Sequence, residues 1–268
     1  MAQFASISPV ALMRLIGTPD APAIIDVCID EDFCADPLLV PTARRWPHTK
    51  IPELVGDLTG QRVVVICQKG LKLSHGSAAL LRTHGIEAEV LEGGNIAWKQ
   101  AGLPRIPVGK LPAATPGSRW VTRWRPKIDR IACPWLIRRF VDPKAEFLFV
   151  PPAQVAEVSE KFGAVAYDVP GAPWTHDGPQ CTFDTMLSGF GLQIPALQTM
   201  AKIIRGADTN RHDLAPECAG LLAMSVGLSR GSRDDLAQLE AGMVLYDALF
   251  RWARDGQSET HDWQEDVG

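Results

Sequence analysis

The chain has 268 residues, 46% of them hydrophobic and 22% charged, which are the proportions of an ordinary globular protein with room for two cores. Its 27 basic and 31 acidic residues leave a formal charge of -4, which excludes a molecule that binds nucleic acid through overall charge alone. No apolar run approaches membrane-spanning length and no basic head precedes an apolar segment, so a cytoplasmic protein with no membrane partner is expected.

Taken in order, Ser8 as a cap, Pro9 in the first turn and Gly17 at the end predict a short helix over 8–17. Ile24 to Val27 read as a strand, and the acidic run 30–37 as a surface turn or short helix. A β-branched run, 62–66, then delivers Cys67 to the polar loop Gln68, Lys69, Gly70, Leu71, Lys72, Leu73, Ser74. A helix over 74–83, closed by Gly85, places the thiol just before a helix N-terminus, where unpaired amides and the helix dipole favour an anion. Lys69 and Lys72 add positive charge, and Gly70 lets the backbone curl, so a reactive cysteine in an anion cradle is expected. A strand over 88–91 and a helix over 96–100 complete an alternation that implies a parallel sheet covered on both faces. The six cysteines lack CxxC spacing, which points to reduced thiols; Cys28, at the end of the first strand, is a second thiol near the same sheet edge.

Three of these stretches resemble the rhodanese (sulfurtransferase) family over residues 6–104. They are Ile24-Ile25-Asp26-Val27, the loop from Cys67, and the closing run 91–104 with Glu92-Gly93-Gly94, Ala97-Trp98 and Ala101-Gly102-Leu103-Pro104. The resemblance implies an α/β rhodanese-like domain in which Cys67 carries a persulfide taken from a small sulfur donor. Lys72 stands where that family has arginine, with Gln68, Lys69, Gly70, Leu71 and Ser74 around the bound anion. A lysine holds an anion as a point charge, without arginine's two-pronged geometry.

Pro104, Pro107, Pro112, Pro116 and Gly117 mark a stiff linker, dividing the chain into 1–105, a linker 106–118 and 119–268. Beyond it, Arg119, Arg123, Arg125, Lys127, Arg130, Arg138 and Arg139 accompany a single acid, Asp129, which suits an oxyanion or nucleic-acid phosphate as well as salt bridges to acids elsewhere. Strands are expected at 120–122, 146–150 and 165–169, and helices at 195–205, 216–226 and 234–254, the last with an apolar stripe. Two polar clusters, 167–184 and 205–213, bring acids and histidines together on loops, a pattern that fits metal coordination, acid/base work or helix capping by Asp184 and Asp213. The tail from 257, with His261, is polar.

Arg125-Pro126-Lys127-Ile128-Asp129-Arg130-Ile131-Ala132, the run 135–140, Thr175-His176, Cys181-Thr182-Phe183-Asp184 and Gly206-Ala207-Asp208 resemble the chromate-resistance protein domain of bacterial chromate operons, from about 120 to 252. The resemblance implies a mainly helical α+β domain with a role in chromate response. His176, Asp184 and Asp208 are the expected metal ligands, Asp168, Cys181 and His212 the weaker ones, and Arg130, Arg138 or Arg139 the anion contacts. The mixed O/N set favours iron, manganese or zinc, with no organic cofactor. Two other readings stay open: a chromate-responsive sensor or DNA-associated regulator, and a thiol-based oxyanion reductase in which Cys28 resolves Cys67.

Overall fold

A computed structural model describes residues 5–113 and 115–260; His261 lies outside them. Strand β1 (Ser6–Ile7) leads into α1 (Pro9–Leu15), where Ser8 Oγ accepts the Ala11 amide at 3.2 Å and Pro9 fills the first turn. There follow β2 (Ala23–Asp26), α2 (Asp30–Ala35), β3 (Leu38–Leu39), β4 (Arg44–Arg45), a 3-10 turn (His48–Leu54), α3 (Val55–Leu58), β5 (Arg62–Ile66), α4 (Lys72–Thr83), β6 (Glu87–Leu91) and α5 (Gly94–Gln100). Five strands form one parallel sheet in the order β1-β6-β5-β2-β4.

The period-two alternation of β5 sorts its apolar side chains between two cores. Val63, Val65 and Cys67 join Ile51, Leu54, Ala78 and Leu81 on one face. Val64 and Ile66 join Leu12, Ile16 and Trp98 on the other, and that cluster continues without a break into the second domain.

The proline-rich stretch is not a free spacer: β7 (Ile106–Pro107) pairs antiparallel with β3, and its chain folds back on the first domain. The second domain then builds β8 (Arg119–Arg123), α6 (Asp129–Leu136) extended by a π turn (Ile137–Val141), β9 (Glu146–Val150), α7 (Val155–Phe162) and β10 (Val165–Ala166). Four helices follow: α8 (Thr182–Phe190), α9 (Pro195–Asp208), α10 (Glu217–Gly231) and α11 (Asp235–Arg251). Its three strands are parallel with β8 central. The whole is an α/β domain with a parallel sheet followed by a mainly helical α+β domain, as the sequence predicts. Of the expected stripe of α11, Leu239, Met243 and Tyr246 are buried, joined by Phe250, whereas Leu236 is 52% exposed.

The two domains share their packing. A Cβ on Gly17, at φ +86°, would stand 2.4 Å from Phe140 and 2.9 Å from Phe250, so glycine is required both for the backbone turn and for the close approach of the second domain. Thr42 N donates to Phe140 O at 3.0 Å, and Arg254 Nη1 donates to Arg14 O at 2.8 Å.

Candidate functional site

Four side chains from separate segments converge where α6 begins. Asp129 opens α6, Asp168 follows β10, His176 lies on the loop before α8, and Asp208 ends α9. His176 Nε2 stands 3.4 Å from Asp129 Oδ2, 3.4 Å from Asp168 Oδ1 and 3.3 Å from Asp208 Oδ2. Asp129 is fully buried, and its oxygens accept the Thr182 amide at 2.6 Å and the Phe183 amide at 3.3 Å, so the N-terminus of α8 holds it in place. Asp168 accepts from Thr182 Oγ1 at 3.1 Å and meets Arg123 and Arg130, each at 3.3 Å. The His176 side chain keeps 39% of its surface in solvent, which gives the cluster a mouth.

The backbone is strained where it builds this cluster. Of the five non-glycine residues at positive φ among the described residues, Arg125 (51°) and Ile128 (43°) precede Asp129, Asp168 (50°) belongs to the cluster, and Asn210 (57°) follows Asp208. The electrostatics are equally unrelaxed. Burial and the neighbouring Asp129 and Asp168 carboxylates push Asp208 up to about 7. The hydrogen bond to Asp129 raises His176 to about 9, against the opposing effect of burial. Burial, reinforced by Asp129, raises Asp168. Asp208 and His176 thus bind protons more tightly than free side chains do, and a cation could replace those protons. Ligands about 2.0–2.2 Å from an ion in tetrahedral array stand about 3.3–3.6 Å apart, the spacing seen from His176 Nε2 to its neighbours. Asp129, His176 and Asp208 offer ligand atoms that lie within 4.8 Å of one another.

The Cys67 loop is built differently from the sequence expectation. Helix α4 begins at Lys72 rather than Ser74, because Ser74 does not cap it: its Oγ donates to Leu71 O at 3.0 Å and stands 3.2 Å from Cys67 Sγ. The N-terminus of α5 clamps the loop from the other side, with Asn95 N donating to Cys67 O at 3.0 Å and Ile96 N to Gln68 O at 3.1 Å. A Cβ on Gly94 would lie 2.0 Å from Cys67 O and one on Gly70 would lie 2.7 Å from Gly94 N; both glycines therefore belong to the clamp. Buried Asp26 completes it by accepting from Cys28 N at 2.8 Å and from Asn95 Nδ2 at 3.1 Å. Cys67 is only 4% exposed and packs against the apolar core, while Lys69 and Lys72 are exposed. Cys67 continues the alternation of Val63 and Val65, which turns its thiol toward the same core face. A neighbouring cavity of about 400 Å³ is lined by Cys28, Arg45, Trp46 and His48. Cys28 Sγ lies 3.8 Å from Gln68 Oε1, and burial lifts its thiol to about 12.

The family model described as ChrB, C-terminal domain, matches residues 120–253, half of the chain. The chain belongs to the ChrB family. Protein ChrB of Cupriavidus metallidurans is 35% identical over 155 residues, which are 56% of this chain and 46% of that protein. An uncharacterized Synechocystis protein is 33% identical over 112 residues, 40% of this chain and 59% of its own. The chain therefore spans about half the length of the curated relatives it matches. Among solved structures, a rhodanese-related protein from Thermoplasma volcanium is similar at TM-score 0.34 and 21% identity, covering 38% of this chain and 98% of that one. A thiosulfate sulfurtransferase from Pseudomonas aeruginosa is similar at TM-score 0.33 and 23% identity, covering 38% of this chain and 19% of that one.

Within the ChrB-family domain the structure regroups the predicted ligands. His176 and Asp208 meet, and Asp168 joins them. Asp184 does not: its Oδ2 accepts the Cys181 amide at 3.0 Å and its Oδ1 takes Arg205 at 3.0 Å, so it caps α8 instead. Cys181 is buried and its thiol is driven far up by burial, which makes a thiolate ligand unfavourable. His212 stands apart from the cluster, and Asp213 pairs with Arg211 rather than capping a helix. Asp129, the central carboxylate, was not among the expected ligands: it sits alone in an arginine-rich run, outside the two clusters of acids and histidines. Of the anion candidates, Arg138 reaches Glu240 at 2.6 Å, Arg139 forms two 2.7 Å bonds to Asp247, and Arg130 serves Asp168.

Proposed function

We propose that the ChrB-family domain holds one divalent metal ion through Asp129, His176 and Asp208, with Asp168 beside them, and that this centre is the working site of a chromate-resistance protein. The observation that carries this reading is the convergence of those three ligand atoms, from three separate segments, within 4.8 Å. The two carboxylates and one imidazole suit iron, manganese or zinc. Such an ion would supply Lewis-acid polarisation of an oxygen-bearing ligand. Arg123 and Arg130 fix Asp168, the α8 amides fix Asp129, and His176 leaves one side open to solvent. Purified without chelator, the protein should carry close to one equivalent of metal by elemental analysis; a metal content no higher in wild type than in His176→Ala would sink the reading.

Sulfur transfer by the first domain is the second reading, favoured by the strand, glycine-clamped loop and helix that place Cys67 before the free amides of α4. The Cys67 thiolate would attack the outer sulfur of thiosulfate, breaking its S–S bond, releasing sulfite and leaving a persulfide; cyanide would then take that sulfur as thiocyanate and restore the thiolate. Thiocyanate formation is expected from wild type, to be lost in Cys67→Ser and retained in Cys28→Ser. Retention of activity in Cys67→Ser would overturn the assignment; under the reductase reading, Cys28→Ser would stop oxyanion reduction while leaving sulfur transfer unaffected. Nucleic-acid binding is disfavoured because Arg119, Arg123, Arg130, Arg138 and Arg139, five of the seven cations between 119 and 139, each meet a carboxylate.

A further inference from the structure

Two cavities of about 360 and 380 Å³ run along the seam between the domains and share Thr42, Arg44, Pro116 and Pro143. Both volumes fall in the range of small-molecule sites, which often form at domain interfaces. Their walls carry five cations, Arg44, Arg45, Arg138, Arg139 and Lys144, against two carboxylates, Asp57 and Asp142. Asp142 is already committed: its Oδ2 accepts from Gly117 N, Ser118 N and Ser118 Oγ, and its Oδ1 accepts from Lys144 N. Asp57, half exposed, is shared by Arg44 at 3.1 Å and Lys144 at 3.5 Å. Asp30, Glu240 and Asp247, the partners of Arg45, Arg138 and Arg139, line neither cavity.

A second observation concerns hydrogen bonding. Three polar atoms of the same residues, Thr42 Oγ1, Thr115 Oγ1 and Arg45 Nε, are buried without a partner. Each can donate, and a buried donor left unpaired is a liability that a native structure ordinarily resolves. Thr42, common to both cavities, also stands at φ +65°, a conformation β-branched residues seldom adopt. Excess positive charge, unpaired donors and a strained residue at one seam all call for the same complement: several acceptor oxygens bearing negative charge.

We propose that this interdomain seam binds a small polyanion, a pyrophosphate-like or polycarboxylate metabolite, held by Arg44 and Lys144 with Thr42 and Thr115 as hydroxyl donors. The ligand touches both domains at once, and its occupancy reports the state of one to the other. Asp57 competes with it for the same two cations.

Calorimetric titration of the full chain, freed of metal so that chelation adds nothing, tests this with sodium pyrophosphate, with citrate, and with sodium chloride at matched ionic strength. Saturable one-to-one binding is expected for pyrophosphate or citrate and none for chloride, the stronger of the two identifying phosphate or carboxylate as the preferred group. Lys144→Ala, at a half-exposed position whose loss leaves the fold intact, and the isosteric Thr42→Val should each weaken binding at least about fivefold. Asp57→Asn should tighten it, an effect that a merely structural role for Asp57 does not produce. The proposal fails if neither anion binds below about 10 mM, or if the three variants bind like wild type.

Discussion

Asp129→Asn is expected to lower the affinity for a divalent ion by at least about 100-fold, the scale on which metal sites respond to changes in their ligand environment. Asp129 is the one fully buried member of the cluster, and its two oxygens face the Thr182 and Phe183 amides as well as His176. An asparagine retains only one acceptor there and turns an NH2 group toward existing donors, so charge and acceptor capacity fall together. His176→Ala removes a ligand without disturbing those amides and should give the same loss. Equal metal uptake by wild type and both variants, read by elemental analysis after dialysis, would contradict the assignment. The metal-free protein should also become less stable as pH rises. His176, raised from 6.5 to about 9, contributes stability that is fully present below about pH 6.5 and is lost as pH passes through 9. Asp208, raised from 3.8 to about 7, binds a proton more tightly when folded, so its contribution also declines between about pH 4 and 7. Both act in one direction. Because His176 is well exposed, its effect is discounted for screening, and a fall of about 2–4 °C in melting temperature between pH 6 and 9 is expected. Saturating metal should flatten that slope, since bound ligands are already deprotonated.

Phe140→Ala should cost about 3–5 kcal/mol and loosen both domains together. Phe140 is fully buried, with ring centroids 5.8 Å from Trp135 and 5.6 Å from Phe250 in edge contacts, and it faces Gly17 of the first domain. Deleting the ring opens a void in the cluster that joins the two sheets. Urea unfolding of the variant should remain a single transition at a lower midpoint. Hydrogen exchange should show β5 and α8 losing protection in parallel. Unchanged protection of β5 beside a destabilised α8 would mean the domains unfold independently.

What could be read from the sequence alone was local in origin. The β-branched run of β5, Ser8 and Pro9 at α1 and the apolar stripe of α11 specify their elements through periodicity and capping, which act within a few residues. The family strings around Asp129, His176 and Asp208 identified the second domain for a similar reason, since each string is contiguous. Which acids would meet was decided only in three dimensions. Asp129 and Asp184 look alike in the sequence, yet the start of α6 turns one into the cluster, while α8 and Arg205 claim the other as a cap. The clamp on the Cys67 loop is likewise a tertiary result: nothing in the loop reveals that α5 will press Gly94 against the Cys67 carbonyl. Charge pairing across 102 to 108 residues, as between Arg138 and Glu240 or Arg139 and Asp247, is set by helix packing, and no local pattern encodes it. Short-range sterics and hydrophobic periodicity fixed the elements, and long-range packing chose which of their polar groups share a site.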